Sequence, residues 1–314
     1  MSGAAVPMRA PDMPVAELID RYMADYAGRD MTRTQRLSWW RQQLGALTLG
    51  EVCDDHVHAA LEALKGLPAR RYAGRDADGR PVFKVKKRAA TMAPATLNRY
   101  RAAISAVFTW AVRRRIAPKG WIHPCQGVQT LPENNARVRF LKPDEIERLL
   151  QACKAARWPR LYLLVLMSLT TGARRGELEG LRWQDIDADH AVAHVARSKN
   201  GDSKTLPLTE PVLQELARFR CAPSALVFAS PRRPAQAYAF DQAWKAALNA
   251  AGIKHYRLHD NRHTAASMLA MNGASLLEVA EVLGHRSLAM SRRYSHLAAS
   301  HKQALVTRVM GHVR

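Results

Sequence analysis

The sequence predicts a mainly α-helical chain with a small β-sheet, an α+β protein in two domains. The chain has 314 residues, and at about 150 residues per domain that length supports two separate cores. Its first half repeats the i, i+3, i+4, i+7 apolar spacing of amphipathic helices, while its second half interleaves that period with two short alternating runs. Between the halves, PENNARVRF at 132–140 has no period and precedes a helix signal at Pro143. These observations set a domain over 1–131, a linker over 132–140 and a second domain over 141–314.

Val15, Leu18, Ile19, Tyr22, Met23 and Tyr26 form one stripe, the first helix. A second is expected over Leu37 to Leu44, and a third carries Val57, Leu61 and Leu64 with Asp54 or Asp55 to cap it. The fourth opens at Pro94 and lines up Leu97, Tyr100, Ile104, Val107, Phe108 and Ala111; its other face holds Arg99, Arg101, Arg113, Arg114 and Arg115. An insertion near 66–92 separates the third and fourth helices, and its glycines, prolines and turn dipeptides leave only VFKV as a short strand. Its Arg70, Arg71, Lys84, Lys86, Lys87 and Arg88 have no helical stripe to bury, so a flexible basic loop is expected.

In the second half, helices are expected at 143–156, 160–171, 174–182, 210–219, 240–251 and 260–272. AVAHVAR and KTLPL read as strands joined by a Ser-Lys-Asn-Gly-Asp turn. SLLE at Ser275–Glu278 is a capping box, and Gly284 stands where that helix should close in a left-handed residue. SHKQ at Ser300–Gln303 resembles a second capping box, opening a final helix.

Composition narrows the function classes. Apolar residues at 47% and charged residues at 24% are ordinary for a globular chain. No apolar run reaches the roughly 18 residues of a membrane span. The charge is not ordinary: 48 Lys+Arg against 27 Asp+Glu give +21, which favours a polyanionic partner, nucleic acid before a membrane surface. Cys53, Cys125, Cys153 and Cys221 lie far apart without a CxxC pair, so neither a zinc knuckle nor a disulfide framework is indicated. The N-terminus lacks the basic segment and apolar core of a secretory signal, and a reducing cytoplasm is the expected compartment.

Chemistry-bearing residues concentrate in the second half. Arg174 follows a helix-ending Gly172, Lys199 stands in the turn between the strands, and His259, Arg262, His285 and Tyr294 follow in order. His259 and His263 in HDNRH, four apart, imitate the HExxH pattern of zinc hydrolases with Asp260 in place of Glu. Asp is one methylene too short for that general base, and Arg262 would set a cation beside the metal. The zinc reading also leaves Tyr294 unused.

In order and spacing these segments resemble the tyrosine recombinases, also called phage integrases. TGARRGELEGLRWQDID is similar to the family's first arginine motif, whose catalytic arginine stands two residues after Gly and three before Glu, selecting Arg174 over Arg175. SKNGDSKTLPL resembles the hairpin that carries its lysine, here Lys199; HDNRHT resembles its His-x-x-Arg box, His259 and Arg262; LGH supplies His285, and RRYSHL the nucleophile Tyr294. Asn261 departs from the Leu usual inside the box. The first half resembles the family's helical core-binding domain, mainly through ATLNRYRAAISAVFTWAVRR.

The resemblance implies a site-specific recombinase that breaks and rejoins DNA through a 3′-phosphotyrosyl intermediate without ATP, cofactor or metal. It also implies double-stranded recombination sites as partners, a tetramer on paired sites formed from free monomers by exchange of the C-terminal helix, and factors that direct or bend the DNA. Arg174 and Arg262 would clamp the non-bridging oxygens, His285 would add a hydrogen bond, and Lys199 would protonate the departing 5′ oxygen. His259 is the candidate base for Tyr294. Arg99, Arg101, Lys84, Lys86, Lys87 and Arg88 are the candidate DNA-backbone contacts. The alternatives are a type IB topoisomerase-like enzyme and a non-catalytic DNA-binding regulator.

Overall fold

The computed structural model describes residues 10–28, 30, 32–68, 70–75, 81–85, 91–133, 139–195, 203–298 and 306–311, with backbone alone for the strands between 70 and 85. The chain divides into two compact units, Met1–Asn135 and Ala136–Arg314.

The first unit holds α1 (Val15–Ala24), α2 (Arg33–Leu44), α3 (Asp54–Gly66) and α4 (Pro94–Arg113). α4 packs on the other three, because its apolar stripe meets theirs in a core of Leu18, Trp40, Val57, Ile104 and Phe108. The indole of buried Trp40 donates to the Tyr100 carbonyl at 2.8 Å, which satisfies the one polar atom that burial would strand. Cys53, rather than Asp54 or Asp55, is the N-cap of α3, and its N–H donates to His56 Nδ1 at 3.3 Å. The two aspartates occupy the first turn instead, where the helix dipole favours negative charge without a capping bond.

Between α3 and α4 the chain forms a hairpin of β1 (Arg70–Arg75) and β2 (Pro81–Val85). Tyr72 lies opposite Phe83 and Arg71 opposite Lys84, with a register shift between Tyr72 and Gly74. This corrects the expectation of a loop with one short strand. The β-branched and aromatic residue types of β2 favour sheet, while the bulge beside Gly74 breaks the alternation by which β1 would be read from sequence. Lys86, Lys87 and Arg88 lie outside the described residues.

The second unit opens with α5 (Pro143–Lys154), α6 (Leu161–Thr171) and α7 (Arg175–Glu179). An antiparallel sheet follows, β3 (Ile186–Asp187), β4 (Val192–Val195) and β5 (Lys204–Pro207) in that spatial order. Then come α8 (Glu210–Ala217), α9 (Asp241–Ala250), α10 (Asp260–Met271), α11 (Leu276–Leu283), α12 (Leu288–Ser291) and a 3₁₀ turn over Arg292–Ala298. Residues 306–310 are helical, whereas Ser300–Gln303 lie outside the described residues. α6 is apolar on every side and therefore central, with α5, α8 and α10 packed around it.

α10 buries Asp260, Asn261, Arg262, Thr264 and Ser267, and most of these polar groups find partners inside. Tyr256 donates its hydroxyl to Asn261 Oδ1 at 2.8 Å, and Asn261 Nδ2 donates to Ser168 Oγ of α6 at 3.1 Å. Thr264 Oγ1 lies 2.8 Å from the same tyrosine oxygen and accepts the Leu141 N–H at 3.1 Å. Asn261 thus fills the place of an apolar residue by joining α10 to α6 with hydrogen bonds, a substitution that works only because every partner is present.

Candidate active site

Two left-handed glycines build the site's frame. Gly172 ends α6 at φ +60° and Gly284 ends α11 at φ +64°. A side chain at Gly172 would run into Leu283 of α11, so this glycine is required by contact as well as by conformation. The two helix ends are thereby brought together, and each presents a carbonyl to an arginine.

Arg262 on α10 donates from Nη1 to the Gly172 carbonyl at 2.8 Å, while its Nη2 is buried with no partner among the described residues. Arg174, the N-cap of α7, is held by Glu177: Nη1 donates to Oε1 at 2.6 Å and the backbone N–H to Oε2 at 2.9 Å. Its Nη2 is 3.5 Å from the Gly284 carbonyl. Glu177 is itself buried, so its charge is offset by the arginine it positions. Arg175 turns the other way, to Glu179 at 2.7 Å and Asp241 at 2.7 and 3.0 Å. The two adjacent arginines therefore serve separate sides of α7.

Lys204 of β5 enters the same space. Its Nζ donates to the Leu283 carbonyl at 3.1 Å and its stem lies over Gly284. Burial first, opposed by Glu177 and reinforced by Arg262 and Arg174, brings its ammonium down to about 8. Lys199 lies outside the described residues. Arg262 is lowered to about 10 by burial and by Arg174, and still carries its charge at neutral pH.

His285 follows Gly284, and its Nδ1 is 2.7 Å from the Ser291 hydroxyl. Burial and the surrounding cations, Arg262 before Arg174 and Lys204, push its imidazole down to about 4. In the tautomer whose Nδ1 accepts from the Ser291 hydroxyl, the neutral ring carries its proton on Nε2 and can donate it to an anionic oxygen. Tyr294 sits in the 3₁₀ turn, 2% exposed among Ala265, Ala266, Ala270, Val279 and Leu283. Its hydroxyl meets His263 Nδ1 at 2.5 Å. Burial raises the phenol above its ordinary value, against the pull of Arg293 and Arg262. His259 stands at the start of α10 with its ring edge-on to His263, centroids 5.7 Å apart; burial and then Arg262 lower its imidazole.

Around one space the structure therefore gathers Arg174, Arg262, His285 and, unforeseen, Lys204, with Tyr294 and His259 at its side. The hydroxyl of Tyr294 is bonded to His263 rather than to His259. Ser291 and Glu177 join the site as well, and His263 enters it as the partner of Tyr294 rather than as half of a metal pair. His263 carried a signal, its i+4 spacing from His259, whereas nothing local marks Ser291. Among the described residues the three-ligand cluster suited to a metal is Cys53, Asp54 and Asp55, which are exposed in the first unit; no third His, Cys, Asp or Glu ligand joins His259 and His263.

In the first unit, Arg99 is exposed. Arg101 is committed internally: Nε donates to the Val128 carbonyl at 2.6 Å and Nη2 to that of Cys125 at 2.7 Å. Its guanidinium ties down the loop after α4 through these two bonds, and the side chain is half-buried.

The sequence model of the phage integrase family matches residues 139–301, just over half of the chain. This protein belongs to the phage integrase family. It is a site-specific recombinase of the tyrosine type. Among its relatives, the integrase of Salmonella phage P22 is 27% identical over 93% of this chain and 78% of its own length. The tyrosine recombinase XerC of Mycobacterium sp. (strain KMS) is 28% identical over 93% of this chain and 96% of its own. Against longer phage integrases the chain spans about three fifths of the relative's length. The fold of this integrase-family chain is shared with the Tn1549 transposon integrase in complex with circular intermediate DNA. That likeness has a TM-score of 0.68 at 18% identity, over 94% of this chain and 99% of the other.

Proposed function

We propose that Tyr294 is the nucleophile with which this recombinase opens a DNA strand, forming a 3′-phosphotyrosyl bond while the 5′ oxygen departs. A phosphodiester repels nucleophiles, so attack needs the non-bridging oxygens neutralised. Arg174 and Arg262 do this with the guanidinium donors left over from Glu177 and the Gly172 carbonyl, and the neutral His285 adds a hydrogen bond from Nε2. Lys199 protonates the departing 5′ oxygen, with Lys204 as a second cation beside it. Because the ester is exchanged rather than hydrolysed, a 5′ hydroxyl of another strand reverses the step and joins new partners.

The observation that carries this reading is Arg262 Nη2, a buried cationic donor with no partner among the described residues. Leaving such a group unpaired costs about 1–3 kcal/mol or more, a cost that a phosphate oxygen between the two arginines would remove. DNA is the partner that fits the +21 charge. Arg99 and the basic hairpin supply phosphate contacts from the first unit, which position rather than read. Assembly into a tetramer on paired sites is supported by residues 306–310, whose helix exposes Val306, Val309 and Met310, an apolar stripe suited to a neighbouring protomer. Its place is the cytoplasm, where its DNA lies; among the described residues no helix is long and apolar enough to cross a membrane.

The test is a nicked suicide substrate that traps the covalent complex. Wild type should form a protein–DNA adduct and Tyr294→Phe none while still binding DNA. An adduct in Tyr294→Phe would overturn the assignment, and absence of any adduct in wild type would favour a DNA-binding regulator.

A further inference from the structure

We propose that His263, one residue beyond the His-x-x-Arg box, is the proton acceptor for Tyr294. The inference rests on Tyr294 being the nucleophile. Its basis is contact: His263 Nδ1 lies 2.5 Å from the phenolic oxygen, and the two rings are tilted at 47° with centroids 6.0 Å apart. Both side chains are held. Tyr294 is enclosed by the small side chains of α10 and by α11, and His263 is packed edge-on against His259.

The surroundings set the direction of the bond. Burial first, then His259, keeps the His263 imidazole below its ordinary value, so the ring is neutral at pH 7. Burial keeps the Tyr294 phenol protonated. In the tautomer that carries the ring's proton on Nε2, Nδ1 accepts from the phenolic hydroxyl, and this is the arrangement the proposal uses. The charged and titratable neighbours of His263 are His259, Asp260 and Arg257 on its own segment and Arg293 on the 3₁₀ turn. α6 carries no charged residue, and Glu278 and Glu281 of α11 are exposed.

The proton balance closes. As the phenolic oxygen bonds to phosphorus, its proton passes to Nδ1 and His263 becomes an imidazolium; the 5′ oxygen leaves with a proton from lysine. In the joining step the incoming 5′ hydroxyl returns a proton to lysine, and the departing phenolate takes its proton back from His263. No oxidant, metal or water is consumed. Asp260 is well placed to favour the transient imidazolium, and bonding of the phenolic oxygen to phosphorus acidifies its proton as the bond forms.

The test uses the full chain and a suicide substrate under single-turnover conditions, with His263→Phe and His263→Asn compared to wild type. Phe keeps an aromatic ring without an acceptor, and Asn keeps an acceptor without a useful base. Both should bind DNA as wild type does and cleave slower at pH 7, by about 10²–10⁴-fold, the range of positioned acid–base groups. The deficit of both should shrink by about tenfold per unit as pH rises from 7 to 9, because hydroxide then supplies the missing base. A purely structural role would slow cleavage by the same factor at every pH. Wild-type rates in both variants, or a deficit independent of pH, would overturn the inference. A surviving adduct in Tyr294→Phe would instead overturn the nucleophile assignment on which it rests.

Discussion

Gly172→Ala tests whether the junction of α6 and α11 holds the arginine clamp. The glycine sits at φ +60°, where an L side chain is strained by about 1–2 kcal/mol. The added Cβ would fall inside contact distance of Leu283 Cδ2 and 3.5 Å from Ala265 Cβ, and overpacking of this kind costs about 1–3 kcal/mol. The lost freedom of the unfolded chain returns about 0.4–1 kcal/mol. The net expectation is a destabilisation of about 1–5 kcal/mol, read by equilibrium urea denaturation of the full chain. Leu283→Ala alone should cost about 2–5 kcal/mol, as a buried leucine does. The double variant should fall short of the sum by at least about 1 kcal/mol, since trimming Leu283 removes the clash. Strict additivity, or a loss below about 0.5 kcal/mol for Gly172→Ala, would refute this reasoning.

The remaining predictions concern charge and assembly. Arg174→Ala should slow strand cleavage by about 10³–10⁵-fold, as arginines at phosphoryl transition states do, whereas Arg175→Ala, tied to Asp241 and Glu179, should act mainly on stability; equal loss of cleavage would mean both serve the phosphate. Lys204 has its folded value below its ordinary one, near 8, so its charge opposes folding below that pH and the penalty fades as pH rises towards 10.5. Lys204→Met should therefore stabilise the chain at pH 7 and not at pH 10.5, and a gain constant across that window in denaturation curves would contradict the burial argument. Neutralising Lys84, Lys86, Lys87 and Arg88 should weaken binding alike on specific and random DNA and flatten the salt dependence by about 0.9 in log–log slope per lost phosphate contact; an unchanged slope would remove these four residues from the interface. Truncation after Ala299 should weaken assembly on paired sites more than binding to one site, and equal loss of both would favour a helix packed on its own domain.

Periodicity carries the helices well because an apolar stripe and a buried face are the same fact: Leu97 to Ala111 point inward along α4, and Gly284 closes α11 as its position predicts. Order along the chain also brings Arg174, Arg262 and His285 to mind as a set. What escapes is decided by tertiary contact. Arg101 looks like a surface arginine until the loop carbonyls of Cys125 and Val128 meet it. β1 hides behind its bulge, and β3 is two residues long. Lys204 belongs to a strand whose alternation gives no hint that Leu283 and Gly284 stand opposite. Ser291 matters only because α12 and the following 3₁₀ turn, too short to leave a period, set it against His285. Asn261 reads as a flaw in the box until Tyr256 and Ser168 supply its partners.

The central claim is that Tyr294 takes the 3′ phosphate of a cleaved strand. Trapping wild type on a suicide substrate, digesting the adduct and mapping the nucleotide-bearing peptide by mass spectrometry tests it most directly. The 3′ phosphate should be found on the peptide that contains Tyr294; a nucleotide on any other residue, or a phosphate retained on the 5′ side, would show that Tyr294 is not the nucleophile.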